Sequence, residues 1–142
     1  MEISRRRTVR GFLTSSQFWS SLIAASALGF IVGTAISIAV LSQNWPIDAF
    51  FYTAPFVGIG TVVGYLGWNT DNHPIVCILV AILAPVSGFF LTFVVGDRLF
   101  PAQDSYLFAI IVLIAWLLLS VSIAFALLVS VKSLAFRLSH KK

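Results

Sequence analysis

The chain has 142 residues, 59% of them hydrophobic and 10% charged, with a net charge of +4, whereas an ordinary water-soluble domain is about 45–50% apolar and about 25% charged. That composition excludes a conventional soluble enzyme and places the chain in a bilayer. The cations flank the apolar runs: Arg5, Arg6, Arg7 and Arg10 precede the first, Lys132, Arg137, Lys141 and Lys142 follow the last, and Arg98 alone lies between. Short basic clusters beside membrane spans are retained on the cytoplasmic side and attracted to anionic headgroups, so the charge signals topology and lipid contact, and no nucleic-acid partner is expected.

Residues 1–14 form a basic cytoplasmic segment with isolated apolar positions, Ile3, Val9, Phe12 and Leu13. The arginine run lacks the apolar pair of a twin-arginine signal, and the run that follows is about twice a signal-peptide core, so it is expected to stay as an anchor. Thr14 and Gln17 have capping-box spacing, which starts the first helix near Ser15.

Span one, residues 18–41, carries Ser21, Ala25, Gly29, Gly33 and Ser37 at four-residue spacing. That spacing lines them up on one helix face. Residues with almost no side chain let a second backbone approach closely, and close packing is a main source of helix association in lipid. Residues 42–46 are a short, breaker-rich connector, so span two, residues 47–68, returns antiparallel, with Asn44 as its N-cap and Asp48 in its first turn, where a carboxylate favours the helix dipole. Gly60 and Gly64 form a Gly-x-x-x-Gly face continued by Gly67; a turn centred on Asn44 sets Gly60 opposite Gly29 and Gly64 opposite Ala25. Pro55 is expected to kink this helix.

After a polar turn over residues 69–74, span three, residues 74–95, repeats the small face with Ala84, Gly88, Thr92 and Gly96, and Pro85 is expected to bend it. The loop from Asp97 to Asp104 contains Pro101, with Asp104 or Ser105 placed to cap the next helix. Span four, residues 106–131, is bulky nearly all round; its small residues Ser122, Ala126 and Ser130 are expected to make its closest contact. Its helix continues into a basic cytoplasmic tail, residues 132–142, where Val131, Leu134, Ala135 and Leu138 keep one apolar stripe and Lys132, Arg137 and Lys141 face the headgroups.

These elements make an all-α membrane protein, a four-transmembrane-helix antiparallel bundle over residues 15–131, with both termini in the cytoplasm and the bacterial cytoplasmic (inner) membrane as its expected location. Trp19 and Trp68 fall at the inner boundaries and Trp45 and Tyr106 at the outer ones, while Trp116, deep in span four, should turn its indole N–H inward to a carbonyl or hydroxyl. Spans two and three share Ala-Pro-x-x-Gly, too short a match to define an inverted repeat.

Ionisable groups deep in the spans would point to proton relays or ion sites, and the sequence places none there. Asp48, with Tyr52 one turn on, is the nearest polar candidate. Asp71, His73, Cys77 and His140 match no metal-site spacing, the single cysteine allows no internal disulfide, and no cofactor or catalytic constellation is expected. The expected function is that of a structural or accessory subunit, or an assembly factor, working by helix packing with other membrane helices or in a homo-oligomer, with the small ridge of span three left for the partner. The alternative is a small transporter or channel with a path lined by Ser, Thr, Gly and backbone freed at Pro55 and Pro85.

Overall fold

The computed structural model describes residues 9–99 and 106–141 and contains α1 (Val9–Leu13), α2 (Ser16–Ala39), α3 (Ile47–Asn69), α4 (Pro74–Leu99) and α5 (Tyr106–Ser139). The arginine run of residues 5–7, Lys142 and the proposed cap at Asp104 or Ser105 lie outside the described residues. Helices α2 to α5 are each long and apolar enough to cross a membrane. They pack as an antiparallel bundle, a form in which each span satisfies its own backbone hydrogen bonds, as hydrocarbon demands.

The start of α2 departs from the capping-box expectation. Ser15 is the cap, its hydroxyl accepting from Phe18 N at 3.3 Å. Thr14 instead donates to the Arg10 carbonyl at 3.0 Å and closes α1. The Gln17 amide reaches across the bundle to the Asn72 carbonyl at 3.2 Å, a long-range partner that local spacing does not reveal. Helix α1 folds onto this end through Phe12, whose ring lies 4.7 Å from Phe18 and 5.6 Å from both Tyr65 and Trp68.

Both α2 and α3 end in the same way. Leu41 and Asp71 adopt left-handed φ values of 53° and 52°. Ser42 N then donates to Ser37 O and Asn72 N to Gly67 O, each at 3.0 Å, with Leu41 N on Ile38 O and Asp71 N on Trp68 O. These are Schellman terminations, satisfying carbonyls that a helix end leaves open. After the cis Trp45–Pro46 peptide, α3 starts with Pro46 in the cap position and no side-chain cap bond. Asn44 is therefore not its N-cap; its carbonyl accepts from Asp48 N at 3.3 Å.

Because α2 stops at Ala39 and turns at Leu41, the pivot of the hairpin lies about two residues before the Asn44 centre expected from sequence. Moving a pivot by two shifts the antiparallel pairing by four, about one helix turn. Gly60 accordingly faces Ala25 and Ser21 rather than Gly29, Gly64 faces Phe18 rather than Ala25, and Gly29 faces Phe56.

Helix α5 also presents a different face from the one expected. Ser122, Ala126 and Ser130 are exposed, and the buried stripe is Trp116, Ser120, Ala124 and Leu128. Both sets have four-residue spacing, and in lipid both faces of the helix are apolar, so hydropathy does not separate them. On α4, Ala84 and Gly88 are buried, with Gly88 against Ser120 of α5, so this ridge is occupied within the chain and is not the spare partner surface expected for it. Pro55 and Pro85 lie inside uninterrupted helices.

The apolar core joins Ala25, Phe56, Ile59, Val63, Val80, Ala81, Ala84, Trp116, Ala124 and Leu128. These residues gather toward the end of the bundle that carries Val9 and Lys141. Toward the other end, no residue of 89–99 or 106–115 is buried, although α2 and α3 remain closed out to Ser37 and Ala49. The bundle is a wedge, shut at one end and open at the other.

Candidate membrane-embedded cleft

The shut part is built by backbone approach. A Cβ added at Gly33 would lie 2.8 Å from the Ala49 carbonyl, at Gly60 2.8 Å from Ala25 Cβ and 2.9 Å from the Ser21 carbonyl, and at Gly64 2.8 Å from Phe18 Cα. Ser21, Ala25, Gly29, Gly33 and Ser37 are all buried on α2, as are Gly60 and Gly64 on α3 and Ala84 and Gly88 on α4. Thr92 is half-buried where the helices begin to part.

Beyond it lie two adjoining openings. One, of about 400 Å³, takes walls from all four spans: Val32 and Ile36, Tyr52 and Phe56, Phe89 and Phe93, Val112 and Leu113. The other, of about 440 Å³, separates α4 from α5 between Val95, Gly96, Leu107, Ile111 and Ala115, and shares Thr92 and Val112 with the first. Trp116 closes the floor. Its indole N–H donates to the Pro85 carbonyl at 2.9 Å, and its ring meets Phe56 edge-on at 5.2 Å between centroids. The inward orientation expected of this tryptophan thus has a specific partner, and the residue marks the level at which the wedge opens.

The lining is apolar and suited to hydrocarbon. Hydroxyls along the spans bond back to their own helices, in the pattern of membrane Ser and Thr: Thr92 on Gly88 O at 2.7 Å, Thr53 on Ala49 O at 2.7 Å, Ser120 on Trp116 O at 2.7 Å and, at the shut end, Ser21 on Gln17 O at 2.8 Å. Ser37 Oγ, beside Ile36 of the wall, is buried without a hydrogen-bond partner among the described residues. Asp48 and Tyr52 do not build a common polar site. Asp48 accepts from the Ser42 hydroxyl within the α2–α3 turn, while Tyr52 lines the cleft. Among the described residues no three of His, Cys, Asp and Glu converge as a metal site: Cys77 is buried beneath Gly67, His73 Nδ1 accepts from Ile75 N at 3.3 Å, and His140 meets the Phe136 ring edge-on on the tail.

The cleft is the feature that sequence reasoning missed. The four-residue ladder of small residues on α4 runs on through Thr92 and Gly96, yet a Cβ at Gly96 would meet nothing within 4 Å, so the ladder gives no sign of where the helices part; the bulk of Phe89 and Phe93 beside it is what accompanies the opening. No protein-family model, curated protein or solved structure matches this chain.

Proposed function

We propose that this chain is a non-enzymatic accessory protein of a bacterial cytoplasmic membrane that engages a larger membrane assembly by receiving the apolar side chains of a partner's transmembrane segment in its open half. The observation that carries this proposal is the lateral cleft, to which all four spans contribute and which their own packing does not fill. Its volume of about 400 Å³ lies within the range of about 300–1,000 Å³ typical of binding pockets, and is smaller than a two-turn helix roughly 10 Å wide and 11 Å long. The cleft therefore suits inserted side chains better than a whole helix. The cation distribution supports cytoplasmic termini, with Arg10 and Lys132 within reach of anionic headgroups. The packing work proposed here requires no cofactor.

Isolation from native membranes in a gentle detergent tests the proposal. The unaltered chain should co-purify with a discrete membrane protein, and Ala109→Trp, which fills the cleft from α5, should release that protein without lowering the thermal stability of the bundle. Solute flux by the purified chain in liposomes, abolished by substitution at Pro55 or Pro85, would establish the transporter alternative instead.

A further inference from the structure

At Leu128 the carbonyl of α5 accepts from Asn72 Nδ2 at 3.4 Å, which fixes α5 beside the polar α3–α4 turn, the level at which the bundle ends. The helix does not end there. It continues to Ser139, a further rise of about 16 Å at 1.5 Å per residue. From Tyr106 to Ser139 it contains no glycine or proline, the usual sites of a sharp kink, so the overhang continues the direction of the span and does not fold down onto the membrane. Lys132 lies about 6 Å past Leu128, within reach of headgroups, whereas Leu134 and Leu138 lie about 9 Å and about 15 Å past it.

The overhang keeps a core-like face. Val131, Leu134, Ala135 and Leu138 follow Leu128 in steps of three and four and so prolong the stripe that buries Ser120, Ala124 and Leu128 in the bundle. Here no described residue covers it: Leu134 and Leu138 are each 59% exposed. Outside hydrocarbon such a stripe regains the hydrophobic drive to associate that helices lack inside lipid. Lys132 flanks it on one side and Arg137 and Lys141 on the other, and residues 129–141 contain no Asp or Glu. A second copy laid along the stripe would set cations against cations. Residues 1–8 would do the same through Arg5, Arg6 and Arg7.

We propose that the overhang of α5 is a docking surface, outside the hydrocarbon, for an amphipathic helix with acidic flanks supplied by a partner protein. Leucine-type residues of that helix cover Leu134 and Leu138, and its carboxylates pair with Lys132, Arg137 and Lys141, the arrangement by which flanking charges select partners beside an apolar helix seam. The site stands apart from the cleft and does not depend on the cleft being occupied.

The test uses the full chain in its native cells, with a photo-crosslinking amino acid placed singly at Leu134, Leu138 or, on the far side of the helix, Phe136, and adducts sequenced by mass spectrometry. Leu134 and Leu138 should capture a peptide of another protein in which Asp or Glu flanks a heptad-like run of apolar residues. Phe136 should not, and Lys132→Glu with Arg137→Glu should abolish the adduct while Ala109→Trp leaves it intact. Adducts only to lipid, to residues 1–8, to a second copy or to a partner segment without acidic residues would overturn the proposal, as would no adduct at either leucine.

Discussion

The shut and open halves of this bundle are both lined with apolar side chains, yet one half packs and the other does not. In the shut half the closest backbone approaches have a small residue on at least one side: Gly60 on Ala25, Gly64 on Phe18, Gly88 on Ser120. In the open half Phe89 and Phe93 of α4 stand across from Val112 and Leu113 of α5, and the helices part. Lipid tails are as apolar as leucine, so burying hydrocarbon supplies little drive to association there; how closely two backbones can approach decides it. Side-chain size, not hydrophobicity, draws the boundary between the halves.

The largest test of that view compares two glycines on one helix. Leu at Gly60 must displace Ala25 and the backbone of α2, because even its Cβ meets the Ser21 carbonyl at 2.9 Å, whereas a Cβ at Gly58 meets nothing within 4 Å. Gly60→Leu should cost about 3 kcal/mol or more, the upper range of overpacking. Gly58→Leu should be neutral or slightly stabilising, since leucine is the better helix former by several tenths of a kcal/mol. Thermal unfolding in one detergent compares them directly, and equal losses at the two positions would refute the size argument.

The same contrast separates what was legible in the sequence from what was not. The spans are visible because apolar runs of this length between polar breakers have few alternatives in a chain so poor in charge. On α2 the four-residue spacing from Ser21 to Ser37 coincides with the buried face. Its pairing with α3 was displaced by one turn because a leucine at Leu41, not a glycine, takes the left-handed position, and no residue type announces it. On α5 the sequence offers two four-residue ladders, Ser122–Ala126–Ser130 and Ser120–Ala124–Leu128. The second is chosen by a long-range contact, the Trp116 indole on Pro85, and periodicity is silent because lipid and protein are equally apolar surroundings. The cleft was illegible for a related reason: it arises from contacts the open half fails to make.

A second test sets matched truncations on α5 against each other. Leu128 is fully buried in the shut half, and Leu113 is 43% exposed beside the cleft. Leu128→Ala removes contacts that fixed neighbours cannot restore and should cost about 2 kcal/mol, the low end for buried leucine. Leu113→Ala exposes space that detergent or lipid fills and should stay within about 0.5 kcal/mol, as for a surface change. Equilibrium unfolding in mixed micelles gives both values. A cost at Leu113 equal to that at Leu128 would mean that the open half is packed in the membrane.

The smallest expected effect on stability falls at Trp116, where the halves meet. Trp116→Phe retains a ring beside Phe56 but removes the N–H that holds α5 to the Pro85 carbonyl of α4. Interhelical hydrogen bonds in membrane bundles contribute about 0.6 kcal/mol on average and up to about 1.7 kcal/mol, so the melting temperature should fall little. The geometric consequence should be larger, because toward the open end, beyond Gly88 on α4 and Trp116 on α5, no described residue of either helix is buried to limit their separation. Spin labels at exposed Ile38 and Ile110 report the open half, and labels at exposed Ile23 and Phe125 report the shut half. In Trp116→Phe the first distance distribution should broaden while the second keeps its width, since Ser120, Ala124 and Leu128 still anchor α5. Broadening of both would make Trp116 a general core residue. Broadening of neither would leave the opening to be set by side-chain bulk alone, with the Trp116–Pro85 bond incidental to it.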